Sequence, residues 1–299
     1  MNKGVLYGIG AYLLWGFFPI YWKVLHQVSA LQVIGHRIGW SFIVLIIFIL
    51  ITKQWQEFRS VAFNAKTIGI YAVASVLLSI NWLIYVWGVN AGFIVETSLG
   101  YFINPLLSVL LGVLFLRERL RPAQWIPVIL AAIGVIYLTV VYGRLPWIAL
   151  SLAFSFGIYG LVKKLAPLGS LYGLTLETAI VFPIALIYLV FVEGNGTGAF
   201  LHNGARIDLF LAGAGIVTTI PLLMFASAAK QIPLTMVGIL QYIAPTLQFL
   251  IGVFIYKEPF DQPHLIGFGI VWVALIVFWV ENFIAHKMPV EPIAELGEG

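Results

Sequence analysis

Residues 96–122 read ETSLGYFINPLLSVLLGVLFLRERLRP, and residues 237–263 read VGILQYIAPTLQFLIGVFIYKEPFDQP. Both are mainly apolar, and both carry a proline in the middle of an otherwise helix-forming run. Laying Pro105 on Pro245, a shift of 140, also brings Leu107 onto Leu247, Gly112 onto Gly252, Val113 onto Val253 and Glu118 onto Glu258. The same shift carries Lys23 to Lys163 and Leu25 to Leu165 without a gap. Apolar matches such as Ile103 with Ile243 count for little in so apolar a chain. The Pro-Gly-Glu frame, held in one register, counts for more. The chain therefore reads as two copies of one unit, over residues 1–142 and 143–286, followed by a polar tail over 287–299.

Composition says where such a chain can live. Of its 299 residues, 62% are apolar and only 9% are charged, and the mean hydropathy is +1.03. A soluble domain is roughly half apolar and about a quarter charged, so these charges cannot cover a water-facing surface. The reading is an all-α integral membrane protein. Cysteine is absent, which excludes disulfides, thiolate metal sites and cysteine nucleophiles. The first apolar run follows Lys3, contains Trp15 and Trp22 and ends without a small-residue cleavage site, so it is expected to be a retained helix.

A spanning helix needs about 20 mainly apolar residues. Ten runs qualify, near 5–23, 32–51, 67–89, 93–115, 123–141, 145–163, 171–192, 207–229, 234–256 and 264–283. The longest link, residues 193–208, is glycine-rich and reads as a flexible external loop. Basic residues in short loops mark the cytoplasmic side. With the N-terminus inside, eleven of them (Lys3, Lys53, Arg59, Lys66, Arg117, Arg119, Arg121, Lys163, Lys164, Lys230 and Lys287) fall on that side, against Lys23, Arg144, Arg206 and Lys257 on the other. Both termini are expected in the cytoplasm. Five spans per unit is an odd number, so the second unit must enter the membrane inverted. The loops agree: RERLR (117–121) carries three arginines, whereas its counterpart KEPFD (257–261) carries one lysine and two acids. Inverted repeats around a site near the midplane are a common plan for secondary transporters.

Several segments extend this pattern: AYLLWGFFPIYWK (11–23), HRIGWS (36–41), NWLIYVWGVN (81–90), the stretch 96–120, LAFSFGIYGLVKK (152–164), GIVTTIPLLMFASAA (215–229) and LQYIAPTLQFLIGVFIYKEPF (240–260). Together they resemble the drug/metabolite transporter superfamily, its EamA-type transporters and, among these, the RarD branch. The resemblance covers nearly the whole chain and fails only after Lys287. It implies the drug/metabolite transporter fold, ten transmembrane helices in two inverted five-helix repeats, and a multi-pass permease of the bacterial inner membrane. Members are often labelled chloramphenicol-sensitive or chloramphenicol-resistance proteins, a label that does not establish what is carried.

Charge inside a bilayer is costly and faces a partner or a cavity. The candidates are His36, Arg37, Glu96 and Glu177, and the shift of 140 makes Arg37 and Glu177 counterparts. Arg37 with Glu96 can be an ion pair between two helices. Glu177 shows no basic partner at its depth in the sequence, which favours a protonatable or cavity-facing acid and makes protons the expected coupling ion. His36 is a plausible proton acceptor, weighed against a simple hydrogen-bonded histidine. Gly35 and Gly39 bracket the pair with GxxxG spacing, a packing signal.

Proline has no N–H and crowds the carbonyl four residues earlier. Pro105 and Pro245 thus free the carbonyls of Tyr101 and Gln241 and are expected to break regular helix where a cavity needs polar groups. Tyr101, Asn104, Gln241 and Tyr242 stand around these kinks, and Trp15, Asn81 and Trp82 form a second set with Tyr12, Tyr85 and Asn90. They are the expected lining of a cavity suited to flat or amphipathic organic solutes.

No G-x-x-x-x-G-K-[ST] or H-E-x-x-H occurs, so neither ATP hydrolysis nor zinc chemistry is expected, and no cofactor, metal or nucleic-acid partner. The reading is a secondary permease, not an enzyme, exporting a small metabolite or drug-like solute across the bilayer by alternating access. A flippase for an amphipathic lipid-linked intermediate, a channel and a membrane-embedded enzyme stay open as alternatives.

Overall fold

The structure, a computed structural model, describes residues 2–90, 93–143, 147–257 and 262–287. Among them, every regular element is helical. In chain order these are α1 (Lys3–Gly16), α2 (Phe18–Val24), α3 (Ala30–Ile51), α4 (Trp55–Ala62), α5 (Ala65–Asn90), α6 (Ile94–Leu116), α7 (Trp125–Tyr142), α8 (Trp147–Leu165) and α9 (Ser170–Gly194). There follow α10 (Ala205–Gln231), α11 (Leu234–Leu240), α12 (Ile243–Leu250), which runs into a π-helical turn at Ile251–Ile255, and α13 (Gln262–Lys287). Helix ends sit where the chain can satisfy loose backbone groups. The Asn2 side chain accepts from the N–H of Gly4 at 2.9 Å, and Gly143 takes φ 75° to close α7, a conformation that glycine adopts without penalty.

Eight helical stretches among the described residues are long and apolar enough to cross a membrane. Two shorter apolar stretches, Gly100–Leu116 and Leu265–Phe278, lie in α6 and α13. Large apolar side chains such as Ile184, Ile187 and Phe254 point outward and are exposed. A helix apolar all round must have either core or lipid on every side, so this surface is the lipid-facing one. The closest packing joins the halves of the chain: α6 on α8, α1 on α10, α3 on α10 and α9, α11 on α6, α5 on α8, and α7 on α13.

Four features differ from expectation. The first run is divided at Phe17 into α1 and α2. Pro19 has no N–H for the Trp15 carbonyl, which instead accepts from Gln248 Nε2 at 3.1 Å. Residues between the second and third runs are not a bare link. They form α4, whose Phe58 and Ala62, one turn apart, are buried. The loop after α9 is anchored: Gln32 Nε2 donates to Thr197 O at 2.8 Å, its Oε1 accepts from Ala199 N at 2.8 Å, and Ala199 is buried.

The fourth difference concerns the prolines. Helix α6 runs through Asn104-Pro105 without interruption, so the expected break does not occur there. The break lies in the other copy, where Gln241 and Tyr242 separate α11 from α12. Pro245 then sits in the first turn of α12, and the Gln241 carbonyl accepts from Ala244 N at 3.3 Å. A proline N–H missing from a first helical turn breaks nothing, because that turn's donors lack intrahelical partners anyway.

The end of the bundle where α1 begins is tied by polar contacts. Glu118, in the loop after α6, accepts from the N–H groups of Leu234 (2.6 Å) and Thr235 (2.9 Å) at the start of α11. A carboxylate at a helix N-terminus satisfies orphan donors and meets the positive end of the helix dipole. Gly112 makes this reach possible, since a Cβ there would stand 2.7 Å from Glu118 Oε2. Lys164 Nζ donates to the carbonyls of Ala229 (3.1 Å) and Ile232 (2.7 Å) at the C-terminus of α10, and Lys230 Nζ donates to Ala166 O. The counterpart of Glu118, Glu258, lies outside the described residues with the rest of 258–261.

Candidate functional site

A cavity of about 210 Å³ opens among α1, α2, α3, α5, α6, α8, α10, α11 and α12, several times the roughly 30 Å³ share of one water. Six of the seven residues expected to line it do so: Trp15, Asn81, Trp82, Tyr101, Asn104 and Gln241. They arrive from separate helices by simple periodicity. Side chains three, four and seven apart share one helix face, and the lining runs Tyr12, Trp15, Pro19, Trp22 along the first span and Gln241, Ala244, Pro245, Gln248 along the ninth run. Trp22, Phe156 and Gln248 were not anticipated. Extending the two expected faces by one more turn, from Trp15 to Trp22 and from Gln241 to Gln248, finds two of them.

The seventh residue is misplaced in the sequence reading. Tyr242 is buried outside the cavity wall, its ring against Phe102 and its hydroxyl donating to Phe102 O at 3.3 Å. Successive residues of helical backbone point about 100° apart, and here that rotation turns Gln241 into the cavity and Tyr242 towards Phe102. The same rule separates His36 from Arg37. Arg37 faces the cavity. His36 is buried on another face, its ring 5.2 Å from that of Phe200 in the anchored loop, which removes it from the solute space. The side chains of Glu96 and Asn90 lie outside the described residues.

Arg37 is held by stacking and one hydrogen bond. Its guanidinium carbon lies 4.2 Å from the centre of the Trp82 ring and 4.6 Å from that of Trp22, and Nε donates to Thr218 Oγ1 at 3.0 Å. Such cation–π contacts gain strength away from water. Asn81 fixes the wall beside it, donating to Leu152 O (2.9 Å) and Ser155 Oγ (3.0 Å) on α8. Tyr85 and Tyr101 meet edge to face at 5.6 Å.

Below the cavity, towards the end where α1 begins, aromatic rings close the floor. Trp15, Phe156, Phe225 and Tyr159 stand with centroids 5.3–5.9 Å apart. Beneath them lies an ion pair that overturns the isolation of Glu177. Lys163 Nζ is 2.6 Å from Glu177 Oε1, with both side chains almost fully buried, and Tyr159 donates its hydroxyl to Glu177 Oε2 at 3.2 Å. The sequence hid this because Lys163 is in the last turn of α8 and reads as a loop charge. Its four-carbon stem reaches inward along the helix. An acid with a cation at that distance is no isolated proton carrier. A void of about 20 Å³, lined by Ser41, Ser75, Thr178 and Thr218 among others, lies between Glu177 and Arg37, enough for a single water.

Comparison with known proteins fits this architecture. Residues 2–140 and 145–280 each match the EamA-like transporter family. The uncharacterized transporter YojE of Bacillus subtilis (strain 168) is 49% identical, covering 93% of this chain and 93% of its own. Protein RarD of Escherichia coli (strain K12) is 42% identical, covering 96% of this chain and 97% of its own, and protein RarD of Streptomyces exfoliatus is 44% identical over 92% and 88%. A solved crystal structure superimposes with a TM-score of 0.68 over 95% of this chain and 99% of that one, at 18% identity, a likeness of fold alone. The chain belongs to the EamA-like transporter family of the drug/metabolite transporter superfamily, and within it is RarD-like.

Proposed function

We propose that the chain is a secondary permease that moves a small organic solute by alternating access, and that this structure is its state open away from the N-terminus. One observation carries the reading. The cavity lies beyond Tyr12 and Trp15 from the end where α1 begins, and that end holds the aromatic floor, the Lys163–Glu177 pair and the Glu118 cap on α11. A carrier needs a site reachable from one side at a time, and a channel does not.

Ten spans in two inverted halves, residues 1–142 and 143–286, give this state its partner. Packing supports the repeat, because contacts recur under the shift of 140: α6 on α8 corresponds to α12 on α1, α1 on α10 to α8 on α5, and α3 on α10 to α9 on α5. Exchanging the conformations of the halves would close the open end and open the closed one. With both termini in the cytoplasm of the inner membrane, as the basic residues favour, the present cavity faces outward. Export then loads the solute in the opposite state and releases it from this one. No proton step is assigned to Glu177.

Two measurements test the proposal. Flux of solute into vesicles containing the purified protein must saturate with concentration; linear flux at every concentration removes the carrier. A reporter enzyme active only in the periplasm, fused after Lys287, must be silent, and strong activity there reverses the orientation.

A further inference from the structure

Among the described residues, the cavity wall contains a cation with no anion beside it. Charged side chains inside a membrane almost always pair with one another or with backbone carbonyls. Among the described residues, no carboxylate lies within salt-bridge distance of Arg37. The buried carboxylate beyond it, Glu177, is already held by Lys163. The hydrogen bond from Nε to Thr218 is the one Arg37 makes among these residues. Its terminal nitrogens are also not sealed in the packing, since the buried polar atoms left without a partner are Tyr12 Oη, Asn104 Oδ1 and Thr219 Oγ1.

Geometry says what those nitrogens can take. Two indole rings stand beside the guanidinium and its Nε edge is fixed by Thr218, which leaves the terminal N–H groups as the donors Arg37 brings to the cavity. A planar fork of this kind matches the two oxygens of a carboxylate. Among the described residues, Arg37 is the one charged side chain in the cavity lining, so it balances one negative charge and not two. The remaining wall is largely ring faces, from Trp15, Trp22, Trp82, Tyr85, Tyr101 and Phe156.

We propose that the cavity binds a flat, ring-bearing organic monoanion, its carboxylate on Arg37 and its ring against the aromatic faces of the wall. This rests on the permease reading for the solute's onward movement, but not for its binding.

Calorimetry on the full chain in lipid nanodiscs tests this with matched probes: benzoate, 4-hydroxybenzoate and indole-3-carboxylate, the alcohol and the amine corresponding to each, and phenyl phosphate. In the wild type the acids bind about tenfold or more tighter than the alcohols and amines, the difference a charge-assisted hydrogen-bond pair makes, and tighter than phenyl phosphate. Arg37→Gln removes the preference, and Arg37→Lys, a point charge without the fork, retains part of it. Equal binding of acids and alcohols by the wild type across the panel overturns the proposal. This comparison needs no variant to fold. Tightest binding of phenyl phosphate, or acid binding by Arg37→Gln at wild-type strength, overturns it too. Acid-selective binding without vesicle flux leaves the anion site standing and removes the permease. Saturable flux of amines or alcohols that Arg37→Gln does not change leaves the permease and removes the anion site.

Discussion

Lys163 and Glu177 lie in the closed end of the bundle, and the positions 140 residues before them, Lys23 and Arg37, lie at the open end. In the first pair the charges are opposite, and they meet at 2.6 Å between helices α8 and α9. In the second both are positive. They cannot meet, and each turns to aromatic faces instead: Lys23 Nζ stands 3.6 Å from the centre of the Tyr256 ring, and Arg37 lies between Trp22 and Trp82. The first pair thus bolts two helices together, and the second sets its cations on aromatic rings. Between the two pairs of positions the lysines agree, and only Arg37 against Glu177 differs in charge sign.

The largest expected effect comes from cutting the bolt. Lys163→Met or Glu177→Leu leaves a lone charge almost fully buried, and stranding one partner of a buried pair costs about 3–5 kcal/mol. Unfolding midpoints of the purified protein in detergent should fall steeply for each single variant. The double variant Lys163→Met/Glu177→Leu should recover most of the loss. Arg37→Gln at the corresponding open-end position should cost far less, since its charge borders a cavity. Equal losses at both ends would erase the contrast between them.

Next comes Gly238→Ala, at the crossing of α11 and α6. A Cβ there would stand 2.7 Å from the Pro105 carbonyl oxygen and 3.0 Å from Ser108 Cβ. Overpacking of this kind costs about 1–3 kcal/mol, and prising these helices apart should loosen the closed end before the open one. Thermal unfolding measures the cost. Hydrogen exchange over residues 105–112 and 234–240 shows whether the loosening stays there.

Glu118→Gln should be milder. It keeps one acceptor oxygen for one of the two N–H groups but removes the charge and sets an NH2 donor against the other at the start of α11. Losing a helix cap costs about 0.5–2 kcal/mol. The amides of Leu234 and Thr235 should exchange faster, with those lining the open end unchanged. Protection equal to wild type would mean that Glu118 does not hold the end closed.

The prolines should matter least to stability and divide unequally. Pro105→Ala restores a donor for the Tyr101 carbonyl inside continuous α6, so the fold should be as stable or slightly more stable while solute flux drops. Pro245→Ala falls in the first turn of α12, where the new N–H has no intrahelical partner, and should change either quantity less. Flux and unfolding midpoints of the two variants, measured side by side, test the order.

Much of this was legible beforehand, for reasons tied to particular residues. Apolar runs of spanning length mark helices because lipid leaves the backbone no other way to satisfy its hydrogen bonds. Trp15, Asn81, Trp82, Tyr101, Asn104 and Gln241 stood out because polar and aromatic groups in mid-span need a space to face. The family resemblance rested on residues spread along nearly the whole chain, and the EamA-like family matches at 2–140 and 145–280.

Direction and reach were decided only in three dimensions. Sequence alone identified Tyr242 and His36 as polar groups at the right depth. Whether either faces the cavity depends on helix rotation, which packing against Phe102 and Phe200 sets. It identified Glu177 as a buried acid, yet the Lys163 beside it is 14 residues away along the chain and on another helix. It also placed Arg37 within a span without saying what the guanidinium would lie between. Composition and periodicity act along one chain segment at a time, so they determined the membrane class, the repeat and the candidate faces. Partnership between charges depends on how long side chains from separate helices converge, and only the tertiary structure could decide which end was bolted and which left open.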